Sequence, residues 1–359
     1  MSAKEVVFKK SDSSSQVEVS SKSKTVSSAS LLDIYDTSID NVLRPKFLVD
    51  FVGQPDLKER LNIVVTAAKM RAEQVDHILF AGPPGLGKTS LASIVANEIG
   101  VNFRVTSGPA ITRAGDLASL LSDLSDSDVL FIDEIHRLPR SVEELLYSAM
   151  EDFKVDVTLG KGPTSRTLRL DIARFTLIGA TTRTGMLSGP LRDRFGFVHT
   201  MEYYSASELA EVVSRSAKIL EIEIDEEAAH EIALRSRGTP RLANRLLKRV
   251  RDFAFVSRDG VLDGKTAKEG LDVFGVDDLG LDRVDRDILQ TLCVTFQGRP
   301  AGLSAIASGI GEEKMTIEDV HEPFLVKLGM VVRTPRGRVA TYRAFDHLGL
   351  PRSENVGLF

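Results

Sequence analysis

The chain has 359 residues, 42% hydrophobic and 27% charged, and 46 Lys plus Arg against 51 Asp plus Glu give a net charge of -5. That balance excludes a chain disordered throughout, suggests two or three domains at about 150 residues each, and argues against a surface coated with positive charge for nucleic acid. The single cysteine, Cys293, excludes an intrachain disulfide and a cysteine-ligated zinc site, and no apolar run reaches a membrane span or a secretory core, so a cytoplasmic protein is expected.

Residues 1–30 hold eleven Ser, five Lys and three acids, too little apolar surface to offset ordering entropy, so a disordered arm of about residues 1–40 is expected. From Leu43 strands alternate with helices. Strands are predicted at 77–82, 102–106, 129–132, 175–178 and 197–203, and helices at 89–99, 115–124 and 141–150. This α/β pattern implies a mostly parallel sheet covered on both faces, over about 41–205. One piece breaks it: Val155, Val157 and Leu159, then Leu168, Leu170 and Ile172, alternate around Gly160–Pro163 and predict a β-hairpin at about 155–172. Residues 206–276 read as a small helical domain. Residues 279–359 read as helices at 284–296, 303–308 and 316–328 before a strand, turn and strand at 331–342, the composition of a winged helix.

Gly82-Pro-Pro-Gly-Leu-Gly-Lys-Thr89 matches G-x-x-x-x-G-K-[ST] between a predicted strand and a predicted helix. Its backbone N–H groups would cradle phosphates at a helix N-terminus, Lys88 would reach the β- and γ-phosphates, and Thr89 would offer a hydroxyl to Mg²⁺. The strand 129–132 runs into Asp133 and Glu134, suited to the magnesium shell and to polarising an attacking water. Thr182 ends the fourth strand, which in such a sheet lies beside the first. Leu191-Arg-Asp-Arg194 is a basic turn that could stabilise transition-state charge, or a surface loop in which Asp193 pairs the arginines. His136 follows the acid pair without a metal-ligand partner.

Residues 235–251 carry seven basic residues and no acid. Arg241 at a helix start could report a γ-phosphate, and the others are expected on a solvated or subunit-contacting face. Across 323–352 six basic residues stand against Asp346 alone. Arg333, Arg336 and Arg338 crowd the hairpin, where they could contact DNA phosphates without reading bases.

The order of these motifs resembles the AAA+ ATPases. The wording Leu43-Arg-Pro-Lys, Phe51-Val-Gly-Gln, Asp133-Glu-Ile-His-Arg-Leu, Gly179-Ala-Thr-Thr-Arg, Leu191-Arg-Asp-Arg-Phe-Gly, Gly238-Thr-Pro-Arg and Arg333-Thr-Pro-Arg-Gly-Arg338 resembles the RuvB family of Holliday-junction branch-migration motors. The resemblance spans about residues 40–350 and leaves out the Ser/Lys-rich arm. It implies a large AAA+ ATPase domain, a small helical lid and a C-terminal winged-helix head. It also implies a homo-hexameric ring on duplex DNA that uses ATP and Mg²⁺, docks RuvA through the 155–172 hairpin, and works with the RuvC resolvase in the wider complex. It places Leu43 and Arg44 near the base and Gly85, Gly87, Lys88, Thr89 and Ser90 around the phosphates, with Glu151, Asp152, Phe153 and Tyr204 close to the nucleotide. Arg194 becomes the arginine finger, Thr182 the first sensor and Arg241 the second; Arg333 and Arg338, with Arg336 between them, become DNA contacts. Ser90 stands where a second Thr is common and keeps the hydroxyl.

Two other readings compete. A clamp loader or replication initiator would need distinct subunits or base-specific readout. An ATP-switched DNA-binding regulator would have less need of a water-activating Glu134.

Overall fold

The computed structural model describes residues 42–159 and 166–352. The expected N-terminal arm and the hairpin tip lie outside the described residues. Among the rest, β1 (Ile78–Ala81), β2 (Phe103–Ser107), β3 (Val129–Asp133), β6 (Thr176–Thr181) and β7 (Phe197–Thr200) form a sheet in the order β2-β3-β6-β1-β7. Every pairing in it is parallel.

The three central strands carry continuous apolar runs because both of their faces are covered. Ile78 and Phe80, Phe131, Ile178 and Ala180 enter one core, while Leu79, Leu130, Ile132 and Leu177 enter the other. Successive side chains on a strand point to opposite faces, so each strand feeds both cores. β6 lies directly beside β1, as expected from the sequence. β7 ends at Thr200, earlier than the expected Tyr203. The chain then closes by Met201 N–H donating to Ala81 O at 2.8 Å and Tyr204 N–H donating to Gly238 O at 3.0 Å.

A helix at Pro55–Arg71 was not anticipated. Its buried face is Leu57, Leu61, Val65 and Ala68, but Ile63 is 60% exposed and Met70 84%. These two outward apolar residues blur the period that identifies an amphipathic helix.

The hairpin is antiparallel, β4 (Lys154–Leu159) with β5 (Arg166–Asp171). Buried Val155 and half-buried Leu170 and Ile172 join the second core and tie its base to the sheet domain.

Four helices follow, Ala206–Ile219, Glu226–Leu234, Pro240–Ser257 and Gly264–Val273, joined by a single bridge between Ile224 and Leu262. Ser205 begins the first with a capping box to Glu208, and Asp225 and Asp263 cap the second and fourth.

The head has its own core, built on Leu289, Leu292, Ile306, Leu325 and Phe345. Two of its expected helices are interrupted. Arg283–Gln290 passes into a π-helical turn at Thr291–Thr295, and Lys314–Thr316 passes into another at Ile317–His321 before Glu322–Lys327. Pro323, at the first turn of that last helix, has no N–H to continue an α-helical ladder. The wing is β8 (Val331–Thr334) with β9 (Gly337–Ala340), closed by an unanticipated helix at Tyr342–His347.

Candidate functional site

The loop after β1 is shaped by Gly82, Gly85 and Gly87, with φ of 132°, 84° and 101°, a region in which only glycine is unstrained. At Gly85 a Cβ would also come within 3.2 Å of Arg241 Cβ, a tight approach that glycine relieves. Gly87 begins the helix Lys88–Ile99, which places its free N–H groups toward the loop. Lys88 is 8% exposed and its Nζ donates to Gly82 O and Pro83 O, both at 2.8 Å. Burial lowers its ammonium to about 8, against the attraction of Asp133 and with further lowering by Arg241. A buried cation facing loop carbonyls, N–H groups at a helix start and a nearby carboxylate fit a polyphosphate with its metal. Thr89 and Ser90 are half-buried beside Lys88.

The helical domain reaches this loop directly. Arg241 N–H donates to Gly85 O at 3.3 Å, and buried Tyr204 donates through its hydroxyl to Leu86 O at 3.2 Å. Desolvation raises the Tyr204 phenol well above its usual value, with Glu208 adding to the shift, so the hydroxyl stays a donor. Leu43 is buried and its carbonyl accepts from Arg215 Nη1 at 2.9 Å, while Arg44 is exposed.

Asp133 ends β3, half-buried, with Oδ1 accepting from Glu134 N–H at 2.9 Å. Glu134 has φ of 48°, a left-handed conformation uncommon for its type and often met at functional turns. Its Oε2 accepts from Arg137 Nη1 at 2.9 Å. Gly108 passes so close that a Cβ there would lie 2.4 Å from Glu134 O. Sequence reasoning missed both Gly108 and Arg137. Arg137 stands three residues from Glu134, where a local ion pair was readable; Gly108 carried no signal. At the end of β6 the Thr181 hydroxyl accepts from Arg183 N–H at 3.0 Å and lies 3.0 Å from His136 Nδ1. Half-buried Thr182 is the next residue.

Arg194 lies in a separate cluster. Its Nη2 donates to Glu151 Oε2 at 2.6 Å, its Nη1 donates to Pro190 O at 3.0 Å, and its guanidinium lies 5.1 Å from the Tyr147 ring centroid. The alternative pairing with Asp193 holds for Arg192, 3.9 Å away, but not for Arg194, whose acid partner is Glu151. Phe153, at φ 53°, packs edge-on against Phe175 at 6.3 Å, and Asp152 is exposed. The structure thus joins Glu151 to Arg194, leaves Phe153 packed on Phe175, and gives Arg194 partners outside the phosphate loop.

The wing arginines are where the sequence suggested, on the hairpin, but two of them share a buried acid. Arg333 and Arg338 stand directly opposite in the β8–β9 register, a repulsive placement that Glu322 neutralises. Glu322 is 2% exposed; its Oε1 accepts from Arg333 Nε at 2.8 Å and Arg338 Nε at 2.9 Å, and its Oε2 from Arg338 Nη2 at 3.0 Å. Arg352 pairs with Asp346 and Arg343 donates to Leu328 O, while Arg336, in the turn, is exposed. Glu322 lies one residue outside the 323–352 stretch, so the local charge count overstated the free positive charge.

The expected solvated face at 235–251 is corrected at its start. Arg235 is fully buried among Glu231, Asp272 and Asp278. Arg237 Nη2 lies 2.7 Å from Asp282 and 2.6 Å from Asp285, and Asp285 Oδ1 is 2.7 Å from His321 Nδ1. Asp282, Asp285 and His321 have the composition of a metal site, but the guanidinium supplies the cation there.

Three family models cover the chain: the Holliday junction DNA helicase RuvB P-loop domain over residues 43–201, the RuvB AAA lid domain over 204–277 and the RuvB C-terminal winged helix domain over 278–349. The chain is 58% identical over 328 residues to the Holliday junction branch migration complex subunit RuvB of Mycolicibacterium vanbaalenii, covering 91% of this chain and 92% of that one. It is 54% identical over 325 residues to the protein of the same name from Kosmotoga olearia, covering 90% and 95%. The solved Thermotoga maritima RuvB Holliday junction branch migration motor superposes with a TM-score of 0.79 at 48% identity, over 86% of this chain and 99% of that one.

Proposed function

This chain belongs to the RuvB family of Holliday-junction branch-migration motors, and we propose that it hydrolyses ATP between neighbouring subunits of a homo-hexameric ring to drive duplex DNA through a junction. The observation that carries the subunit arrangement is the placement of Arg194, whose partners are Glu151, Pro190 and Tyr147 rather than the phosphate loop. An arginine displaced from its own nucleotide site suits a finger offered to the next subunit.

In this reading Lys88 and the N–H groups of the loop hold the β- and γ-phosphates, Arg241 contacts the γ-phosphate from the lid, and Thr182 senses it from β6. Leu43 and Arg44 flank the base, and Tyr204 holds the loop. Thr89 and Asp133 would hold Mg²⁺, which would neutralise charge on the phosphate oxygens. Glu134 takes the proton of the attacking water, held in place until then by Arg137. Glu151, Asp152 and Phe153 accompany Arg194 to the neighbour's nucleotide. Loss of the γ-phosphate removes the Lys88, Arg241 and Thr182 contacts together, and the lid shifts against the sheet domain.

Arg333, Arg336 and Arg338 contact DNA phosphates. RuvA docks on the 155–172 hairpin, and RuvC joins the wider complex. A cytosolic location follows from this DNA substrate and suits the single buried thiol of Cys293. The test is dissociation of a four-way junction with ATP and added RuvA. Wild type should process the junction, with Lys88→Ala and Glu134→Gln inactive; absence of ATP-dependent processing by wild type overturns the reading.

A further inference from the structure

Arg183 immediately follows the strand end that carries Thr181 and Thr182, yet its side chain leaves the sheet domain. Its Nη2 donates to Glu318 Oε2 at 2.8 Å and to Asp319 Oδ1 at 2.5 Å, and its Nε donates to the same Asp319 oxygen at 3.1 Å. Both acids lie in the π-helical turn Ile317–His321 of the head. The other oxygen of Glu318 is 3.7 Å from Arg338 Nη2, and Arg338 shares Glu322 with Arg333. One line of ion pairs therefore runs from the end of β6 to both arginines of the wing. Pi-helical turns inside α-helices occur often at functional sites, and here the turn carries the shared carboxylates.

We propose that Arg183 is a positioning residue that carries the state of the nucleotide site to the wing through Glu318, an inference that rests on the motor reading above. The electrostatics set its direction. While Arg183 neutralises Glu318 and Asp319, Glu322 holds both wing arginines by hydrogen bonds and Glu318 reaches Arg338 only at 3.7 Å. When Arg183 withdraws, Glu318 loses its nearer partner and tightens on Arg338, so phosphate must displace two strongly held carboxylates instead of one.

The experiment measures duplex affinity of the full chain at fixed salt, with and without a slowly hydrolysed ATP analogue, alongside ATP hydrolysis in the absence of DNA. Arg183→Ala should weaken duplex binding about fivefold, remove most of the effect of the analogue on that affinity, and leave DNA-free hydrolysis within about twofold of wild type. Glu318→Gln should tighten binding by itself and should restore affinity in the Arg183→Ala background. If Arg183 merely fastens the head to the sheet domain, Glu318→Gln would weaken binding or leave it unchanged and would give no rescue, which overturns the proposal. Because Glu318→Gln alone has a predicted gain, the proposal stays testable even if Arg183→Ala folds poorly. If wild type processes junctions but its duplex affinity ignores the analogue, the inference falls and the motor reading stands; if wild type neither binds duplex nor processes junctions, both fall.

Discussion

Arg194 and Glu151, 43 residues apart, are joined by a 2.6 Å hydrogen bond within one chain, with the Arg194 guanidinium resting against Tyr147. The pair is exposed on the Glu151 side, 63% for its side chain, so a phosphate on a neighbour can compete for the guanidinium at little desolvation cost. Arg194→Ala should therefore bind ATP normally but hydrolyse it roughly a thousandfold more slowly. Mixed with Lys88→Ala it should regain measurable hydrolysis, since hybrid rings hold some interfaces with both an intact loop and an intact finger. No recovery on mixing would place Arg194 outside the neighbour's site.

Gly108 gives a second, local test. A Cβ at this position would sit 2.4 Å from Glu134 O, and Glu134 already holds a left-handed backbone. Gly108→Ala must push back the Glu134 carbonyl, which is expected to shift the carboxylate with its backbone without touching the phosphate loop. Displacing a base by about an ångström costs on the order of a hundredfold in rate. The expected outcome is unchanged nucleotide affinity with turnover lowered to that extent. Lost nucleotide binding would mean instead that the strain spreads into the loop after β1.

The parts of the chain that were legible in the sequence share a physical reason. β1, β3 and β6 are buried on both faces and read as apolar runs, and the phosphate loop needs glycines whose spacing survives in the sequence. What the sequence withheld was long-range pairing. Glu151 is distant from Arg194, Glu318 and Asp319 are distant from Arg183, and Glu322 stands just beyond the basic stretch it neutralises. The helix at 55–71 was hidden for another reason, because Ile63 and Met70 face outward and dilute its periodicity.

Arg237 provides a stability prediction on the same theme. Its side chain is 10% exposed and lies between Asp282 and fully buried Asp285. Burial alone would raise the Asp282 carboxyl, but Arg237 and the Asp285 N–H hold it below its usual value. Removing the guanidinium would leave two acids in a low-dielectric site with His321 and their two reciprocal backbone N–H groups as the remaining partners. Breaking such a pair typically costs about 3–5 kcal/mol, so Arg237→Ala should lower the urea midpoint markedly, with changes centred on the head. Arg237→Lys should recover part of the loss, because it keeps the charge but not the forked geometry. An Arg237→Ala midpoint equal to wild type would show that the acids are satisfied without it.

His77 predicts how stability responds to acid. It is buried, its Nδ1 accepts from Leu177 N–H at 2.9 Å, and its Nε2 lies 3.2 Å from Met150 O, so the ring bridges β6 and the end of the helix that carries Glu151. Desolvation lowers its pKa below 6.5, against the Met150 carbonyl and Asp76, which raise it. The neutral ring is thus the folded form: its contribution is complete above the unfolded value, and is lost as the pH falls through the window from there down to the folded value. Protonation also removes the lone pair that accepts from Leu177. His136 and His199 are shifted the same way by burial, with neighbouring charges opposing and assisting, so His77 accounts for a share of the acid response and not all of it. His77→Gln keeps one acceptor and one donor but does not titrate. Between about pH 7.5 and pH 5.5 wild type should lose more of its urea midpoint than His77→Gln does. Equal losses in the two proteins would remove His77 as a source of the acid response and leave it to the other buried groups.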